Sequence, residues 1–265
     1  MHRFLTACLF VLAAALPLAA APVVAPTPEA ALKVSRLAEG TTLSEHRLID
    51  QDGKPLDLSS FRGQPLVISM IYTSCYHTCP VMSQTVAKAI ANARRAVGEG
   101  RFRVLSIGFD TAHDGPERLR HFARQQGIDL DDWTFATAGA DTVEALSREL
   151  GFTYYVSPRG FDHIAQTTII DAQGKIYRQV YGETFELPLL VEPLKDLVLG
   201  RVSSLGSWTG ITNRIRIICT VYDPHSDAYK YDFGFFLEIG FGALSIATIA
   251  YLLFKIVREN RKAIR

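Results

Sequence analysis

Thr73-Ser74-Cys75-Tyr76-His77-Thr78-Cys79-Pro80 stands where two sequence patterns meet. Before it, Leu66 to Ile71 is an unbroken apolar, β-prone run, the pattern of a buried strand. After it, Val81 to Val97 spaces its apolar residues helically among alanines. The octapeptide is therefore a strand-to-helix turn. A cysteine at a helix N-terminus feels unpaired backbone N–H groups and the positive end of the dipole, both of which stabilise its thiolate. Both thiols are expected to be partly ionised at neutral pH. The spacing is Cys-x-x-x-Cys, one residue longer than the Cys-x-x-Cys of thiol-disulfide oxidoreductases, so the sulfurs can converge on a single ion as well as on each other. Two core cysteines four apart by coincidence would not sit among polar, turn-forming residues.

Outward from this turn, strand and helix patterns alternate. Phe102 to Phe109 reads as a second buried strand. Pro116 to Gln126 reads as a helix with proline in its first turn and Gly127 behind it. Trp133 to Ala136 is a short strand, and Asp141 to Leu150 a helix closed by Gly151. Thr167 to Asp171 and Lys175 to Val180 form a hairpin, and Leu187 to Leu199 a closing helix. This order predicts an α/β fold, a thioredoxin-like mixed sheet flanked by helices.

The ends carry different signals. His2 and Arg3, the apolar run Phe4 to Leu18 and the alanines before Pro22 have the layout of a secretory signal peptide, expected over residues 1–21. Residues 22–40, rich in Ala and Pro, read as a linker, and 41–202 as the folded domain. Residues 203–232 read as a tail carrying Cys219, 233–257 as one transmembrane helix, and 258–265 as a cytoplasmic tail. Lys255, Arg258, Arg261, Lys262 and Arg265 beside the apolar stretch mark the cytoplasmic side, so the domain is expected outside, in the periplasm, on an inner-membrane anchor. The chain's formal charge is +1. Setting aside Arg3 and those five cations leaves 22 of 28 basic residues against 26 of 27 acidic ones without Glu259, so the exported part is near −4 and offers nucleic acid no basic stripe. The mature chain keeps Cys75, Cys79 and Cys219, an odd number in an oxidising compartment. At least one thiol is therefore free, reactive or metal-bound.

Three motifs in order across residues 41 to 200 resemble the Sco/SenC family of copper-binding cytochrome c oxidase assembly proteins. They are Cys75 to Pro80 after the first core strand, Asp110-Thr-Ala-His-Asp114-Gly-Pro116 after the next, and Asp162-His163 ahead of the hairpin. The resemblance implies one copper ion held by Cys75, Cys79 and His163, with Cys75 and Cys79 also able to form a redox-active disulfide. It further implies delivery to the oxidase subunit carrying the CuA site, with other periplasmic copper chaperones as possible partners. Donor chemistry agrees. Thiolates favour Cu(I), imidazole suits Cu(II), and zinc, which tolerates the same donors, ranks below Cu(II) in affinity. Many members of the family carry an acidic residue in the cysteine loop and this chain has none, so its affinity and redox poise are expected to differ.

Other roles compete for some of these residues. A lone histidine before a strand is more often a surface group, and only the motif favours His163 as ligand. His77 can be a ligand or an exposed modulator of the thiols. Asp114, two before Pro116, reads as a helix cap, with Asp110 and Asp114 otherwise supporting the site or a docking surface. Cys219 reads as a buried structural thiol or as a resolving or ligating one. The competing function is an enzyme, a thiol-disulfide reductase that keeps the oxidase cysteines reduced, or a peroxidase. No proline between Pro158 and Pro188 supplies the cis-proline that thioredoxin-like reductases place opposite their cysteines, which favours the metallochaperone. A purely structural membrane protein would leave both cysteines and His163 unexplained.

Overall fold

The computed structural model describes residues 27–129, 131, 133–158, 160–201, 215–232 and 234–263. Leu66–Ile71 (β3), buried at every position, is central in a seven-stranded sheet. Arg103–Gly108 (β4) lies parallel to it on one side, followed by Thr134–Thr137 (β5), parallel to β4. On the other side run Gln166–Ile170 (β8) and Ile176–Tyr181 (β9), each antiparallel to its neighbour. Arg47–Asp50 (β1) and Pro55–Asp57 (β2) complete the edge beyond β5. The two short edge strands escaped the sequence patterns, because three or four residues carry too little periodicity to read.

Thr78–Val97 (α2) follows β3 directly and buries Met82, Val86, Ala89, Ile90 and Ala93, the apolar stripe seen in the sequence. Pro116–Gln125 (α3), Ala140–Glu149 (α4) and Pro188–Arg201 (α5) fall within a residue or two of their expected ends. The mixed, helix-flanked sheet expected from the alternation is thus present. The order differs in one insertion. Tyr154–Ser157 (β6) and Gly160–His163 (β7) form a separate antiparallel hairpin between α4 and β8. His163 therefore ends a strand of its own rather than merely preceding the β8–β9 hairpin.

Part of the stretch read as linker is helical. Pro28–Ala38 (α1) starts with Thr27 Oγ1 accepting the amide of Ala30 and proline in its first turn, and buries Ala31, Ser35 and Ala38. Ser35 fixes it to the sheet: its hydroxyl donates to Gln166 Oε1 at 2.7 Å and accepts from the hydroxyl of Tyr181 at 2.9 Å. Small residues permit that closeness. Gly151, at φ +65°, lies where a Cβ would meet the Cα of Ser35 at 2.8 Å.

Beyond α5, Thr220–Asp223 (β10) and Ala228–Tyr231 (β11) pair as a hairpin, and Gly234–Ala263 (α6) follows. Within α6, Leu237–Arg258 is long and apolar enough to cross a membrane: 22 residues of mean hydropathy 1.8, none buried in the protein. The signal peptide expected over 1–21, residue 202 at the end of the expected domain and residues 203–214 of the tail lie outside the described residues.

Candidate metal centre

The backbone turns at the end of β3, where the amide of Cys75 donates to the carbonyl of Tyr72 at 3.2 Å. One turn on, the amide of Cys79 donates to Cys75 Sγ at 3.3 Å. Cys79 is buried and Cys75 half-buried, and both are free thiols. Their environments push them apart. The Cys79 thiol donates to Cys75, and with the amides of Cys79 and His77 and the Tyr72 hydroxyl it lowers Cys75 to about 5 against the cost of burial. Cys79 moves well above the ordinary thiol range, first because it is the donor to Cys75 and then because it is buried. The expectation that both would be partly ionised is corrected here: two adjacent sulfurs share one proton, so one is thiolate and the other thiol.

Tyr72 was not singled out in the sequence, where it looks like the last core residue of the strand. Its ring is buried, and burial first, then the hydrogen bond its hydroxyl donates to Cys75, raises the phenol to about 12. The ring also meets Phe161 edge-on at 5.3 Å and His163 at 6.0 Å. Gly160, at φ +115°, makes room for it: a Cβ there would lie 3.1 Å from the Tyr72 hydroxyl. Tyr72 thus touches both the thiol loop and the histidine hairpin.

His163 packs its ring among Phe109 at 5.5 Å, Phe152 at 5.4 Å and Tyr72. Its Nδ1 lies 3.0 Å from the carbonyl of Ile164. A carbonyl only accepts, so Nδ1 is the donor there, and in the neutral ring that tautomer leaves the Nε2 lone pair for a metal. His163, Tyr72 and Thr78 share the wall of a pocket of about 260 Å³ with Asp162, Phe161 and, from α1, Pro28 and Ala31. The helix read as linker therefore helps build this mouth.

The structure brings the two sulfurs together, and Tyr72, which touches both Cys75 and His163, links them to the histidine's pocket, but the three do not form a finished coordination shell. Among the described residues no group of three His, Cys, Asp or Glu side chains is close enough to hold a metal ion as it stands. The donor types, two sulfurs and an imidazole, fit a soft ion. His77 is exposed, its Nε2 3.9 Å from Glu183.

Asp114 is corrected from the helix cap expected. Gly115 is the residue ahead of α3, and it makes no side-chain cap. Asp114 is wholly buried and accepts from the Thr73 amide at 2.8 Å, the Thr73 hydroxyl at 2.7 Å and the Asp110 amide at 2.9 Å. It braces the turn two residues before Cys75, and burial raises its carboxyl despite those donors. Asp110 itself accepts from the His113 ring at 2.8 Å.

Cys219 is buried away from this mouth. Arg216 and Tyr231, which flank it across the tail, both donate to the carbonyl of Arg95 near the far end of α2.

Comparison with known proteins agrees with this picture. The chain is 24% identical over 137 residues to the SCO1 protein homolog of Bacillus subtilis (strain 168), covering 50% of this chain and 70% of that one. Among solved structures it is similar to Arabidopsis thaliana ScoI with copper bound (TM-score 0.51, 16% identity, 60% of this chain and 96% of that one). It is also similar to BsSco, described as a member of the Sco family of cytochrome c oxidase assembly proteins with a disulfide switch (TM-score 0.53, 20% identity, 60% and 94%). The SCO1/SenC family model matches residues 35–198, from α1 through the thiol turn, the Asp110–Asp114 brace and His163 to α5, and the chain belongs to that family.

Proposed function

We propose that this protein carries one copper ion on Cys75, Cys79 and His163 and hands it to the oxidase subunit that holds the CuA site. The observation that carries the proposal is the pairing of the two sulfurs at the head of α2, one already a thiolate at neutral pH. A thiolate binds the soft ion without first losing a proton, and the neighbouring thiol gives up its shared proton as the metal arrives. His163, whose neutral ring with Nδ1 bonded to Ile164 offers Nε2, supplies the nitrogen that Cu(II) prefers. Membership in a family of oxidase assembly proteins supports the choice of recipient. On this reading α6 spans the inner membrane once, with the copper domain in the periplasm.

The test is copper stoichiometry of the reduced full chain in detergent. About one copper per chain is expected, with binding lost in Cys75→Ala and Cys79→Ala, since a lone thiolate does not chelate. His163→Ala should retain Cu(I) but lose the Cu(II) spectrum. Full loading of both cysteine variants would overturn the assignment.

A second reading rests on the Cys75 thiol near 5. Such a thiolate can attack one sulfur of a disulfide in the target, expelling the other as a thiolate. Cys79, after losing its proton, then attacks Cys75 in the mixed disulfide. The target leaves with both thiols reduced, its two electrons having come from the Cys75 and Cys79 thiols, which are left oxidised as a disulfide. Reduction of an oxidised CuA-site peptide by the metal-free chain, absent in Cys75→Ala, would support it.

A further inference from the structure

The tail beyond α5 is folded onto the domain. A helical turn at residues 215–218 and the β10–β11 hairpin pack along the later part of α2, where Asn92 Oδ1 accepts the Tyr229 amide at 3.0 Å. At the hairpin tip Asp227 pairs with Lys88, and at its base Arg216 and Tyr231 each donate to the Arg95 carbonyl at 3.2 Å. From tip to base the hairpin therefore runs along α2 away from the cysteines. The base is itself fixed. The Asp232 amide donates to the Cys219 carbonyl at 2.7 Å, and Asp232 Oδ1 accepts the amide of Gly234, first residue of α6, also at 2.7 Å. One residue separates these two tied positions, so the chain spans no more than about 7 Å between them.

This short, capped junction puts the tail unit at the start of α6. This unit leaves Ile218 61%, Val221 51% and Ile215 39% exposed. The nearby carboxylates are paired: Asp223 with Lys230, Asp227 with Lys88, and Asp232 with the Gly234 amide. Lys230 stands directly across the ladder from Val221. Exposed apolar groups whose neighbouring charges are already paired, within one short step of an apolar helix, match the chemistry of a lipid headgroup boundary.

Resting on the reading that α6 spans the bilayer, we propose that Ile215, Ile218 and Val221 lie on the lipid surface at the point where α6 enters. The domain is then held with the C-terminal end of α2 toward the membrane and the copper mouth at its other end. Arg95 and Cys79 are separated by helix from end to end of α2, roughly 24 Å at ~1.5 Å per residue. The partner's copper site would be met at that standoff, not at the membrane surface.

The experiment places benzoylphenylalanine singly at Ile218, Val221, Tyr76 and Val156 of the full chain. Each protein is reconstituted in vesicles of phosphatidylethanolamine and phosphatidylglycerol, irradiated, and assayed for lipid adducts beside an alkaline carbonate extraction. Tyr76 and Val156, 99% and 81% exposed, report on the copper-mouth end. The expected result is retention in the membrane, with lipid adducts at Ile218 and Val221 several-fold above those at Tyr76 and Val156. Retention without that excess, or adducts to a second protein chain at Ile218 and Val221, would overturn the docking alone. Equal lipid adducts at Tyr76 or Val156 would overturn the standoff. Extraction into the aqueous phase would overturn the spanning helix and the docking with it.

Discussion

The thiol pair sets a pH dependence whose sign can be worked out. Cys75 is an acid lowered from 9.0 to about 5 on folding. Its contribution to stability is fully present above the unfolded thiol value and is lost as pH falls through about 5. Cys79 is raised on folding, so it opposes folding as pH climbs above the ordinary thiol range. The reduced protein should therefore gain stability from the pair between about pH 5 and 9 and lose it beyond. Denaturation of the reduced chain against Cys75→Ser across that window would show it; a flat difference would refute it. Tyr72→Phe removes one donor to Cys75, worth on the order of 1 kcal/mol, so the alkylation midpoint of Cys75 should rise by less than one pH unit. Cys79→Ala should raise it more, because the Cys79 thiol is the largest of the influences that lower Cys75. Asp114 is a structural counterpart. Asp114→Ala strands the Thr73 and Asp110 amides and should cost roughly 2–4 kcal/mol, whereas Asp114→Asn, which keeps one acceptor, should cost less. Urea midpoints of the two variants decide it.

At the scale of elements, α1 is the test of how the mouth is built. Gly151→Ala would drive a methyl into the backbone of Ser35 at a φ of +65° that alanine resists, so α1 should lift from the sheet at a cost of about 1–3 kcal/mol. Faster hydrogen exchange across Pro28–Ala38, with β3 and α2 still protected, is the expected signature; unchanged protection would mean that α1 accommodates the methyl. The same helix shows where the sequence was and was not legible. Its Thr-Pro-Glu start is a helix signal, but an Ala- and Pro-rich composition read as linker concealed it, because the docking depends on small residues rather than on an apolar stripe. Leu66–Ile71 and α2 were legible because an all-buried strand and a long amphipathic helix each repeat one signal many times. The β6–β7 hairpin was not, since its residues are partly exposed on both faces and lack clean alternation. In the site, cysteine spacing announced the thiols. The Asp114 brace on Thr73 joins residues far apart in the chain that only the fold brings together, and Tyr72, though three residues from Cys75, reads as a core residue until the fold turns its hydroxyl to the thiol.

For the whole molecule, the decisive question is on which side of the membrane the thiols sit. Leu237–Arg258 covers 22 residues, about 33 Å at ~1.5 Å per residue, enough for a hydrocarbon core of ~30 Å with slight tilt. Lys255, Arg258, Arg261, Lys262 and Arg265 lie together at its C-terminal end, and the proposed orientation follows from the rule that such a bias of cations in a short flanking segment marks the cytoplasmic side. The apolar N-terminal run, with its small-residue stretch before Pro22, has the layout of an export signal, and the proposed topology of one crossing with the copper domain outside rests on reading the two signals together. Glu238 then falls one turn into α6, near the outer boundary, where its carboxylate can reach the headgroups instead of the centre, at which an ionised group costs roughly 2.5–3.5 kcal/mol on insertion scales. A reporter active only in the periplasm should be silent when fused after Arg265 and active when the chain is truncated and fused at Ser203. The opposite pattern would put Cys75, Cys79 and His163 in the reducing cytosol, where a disulfide between the two cysteines would not persist and no periplasmic oxidase subunit could receive the metal.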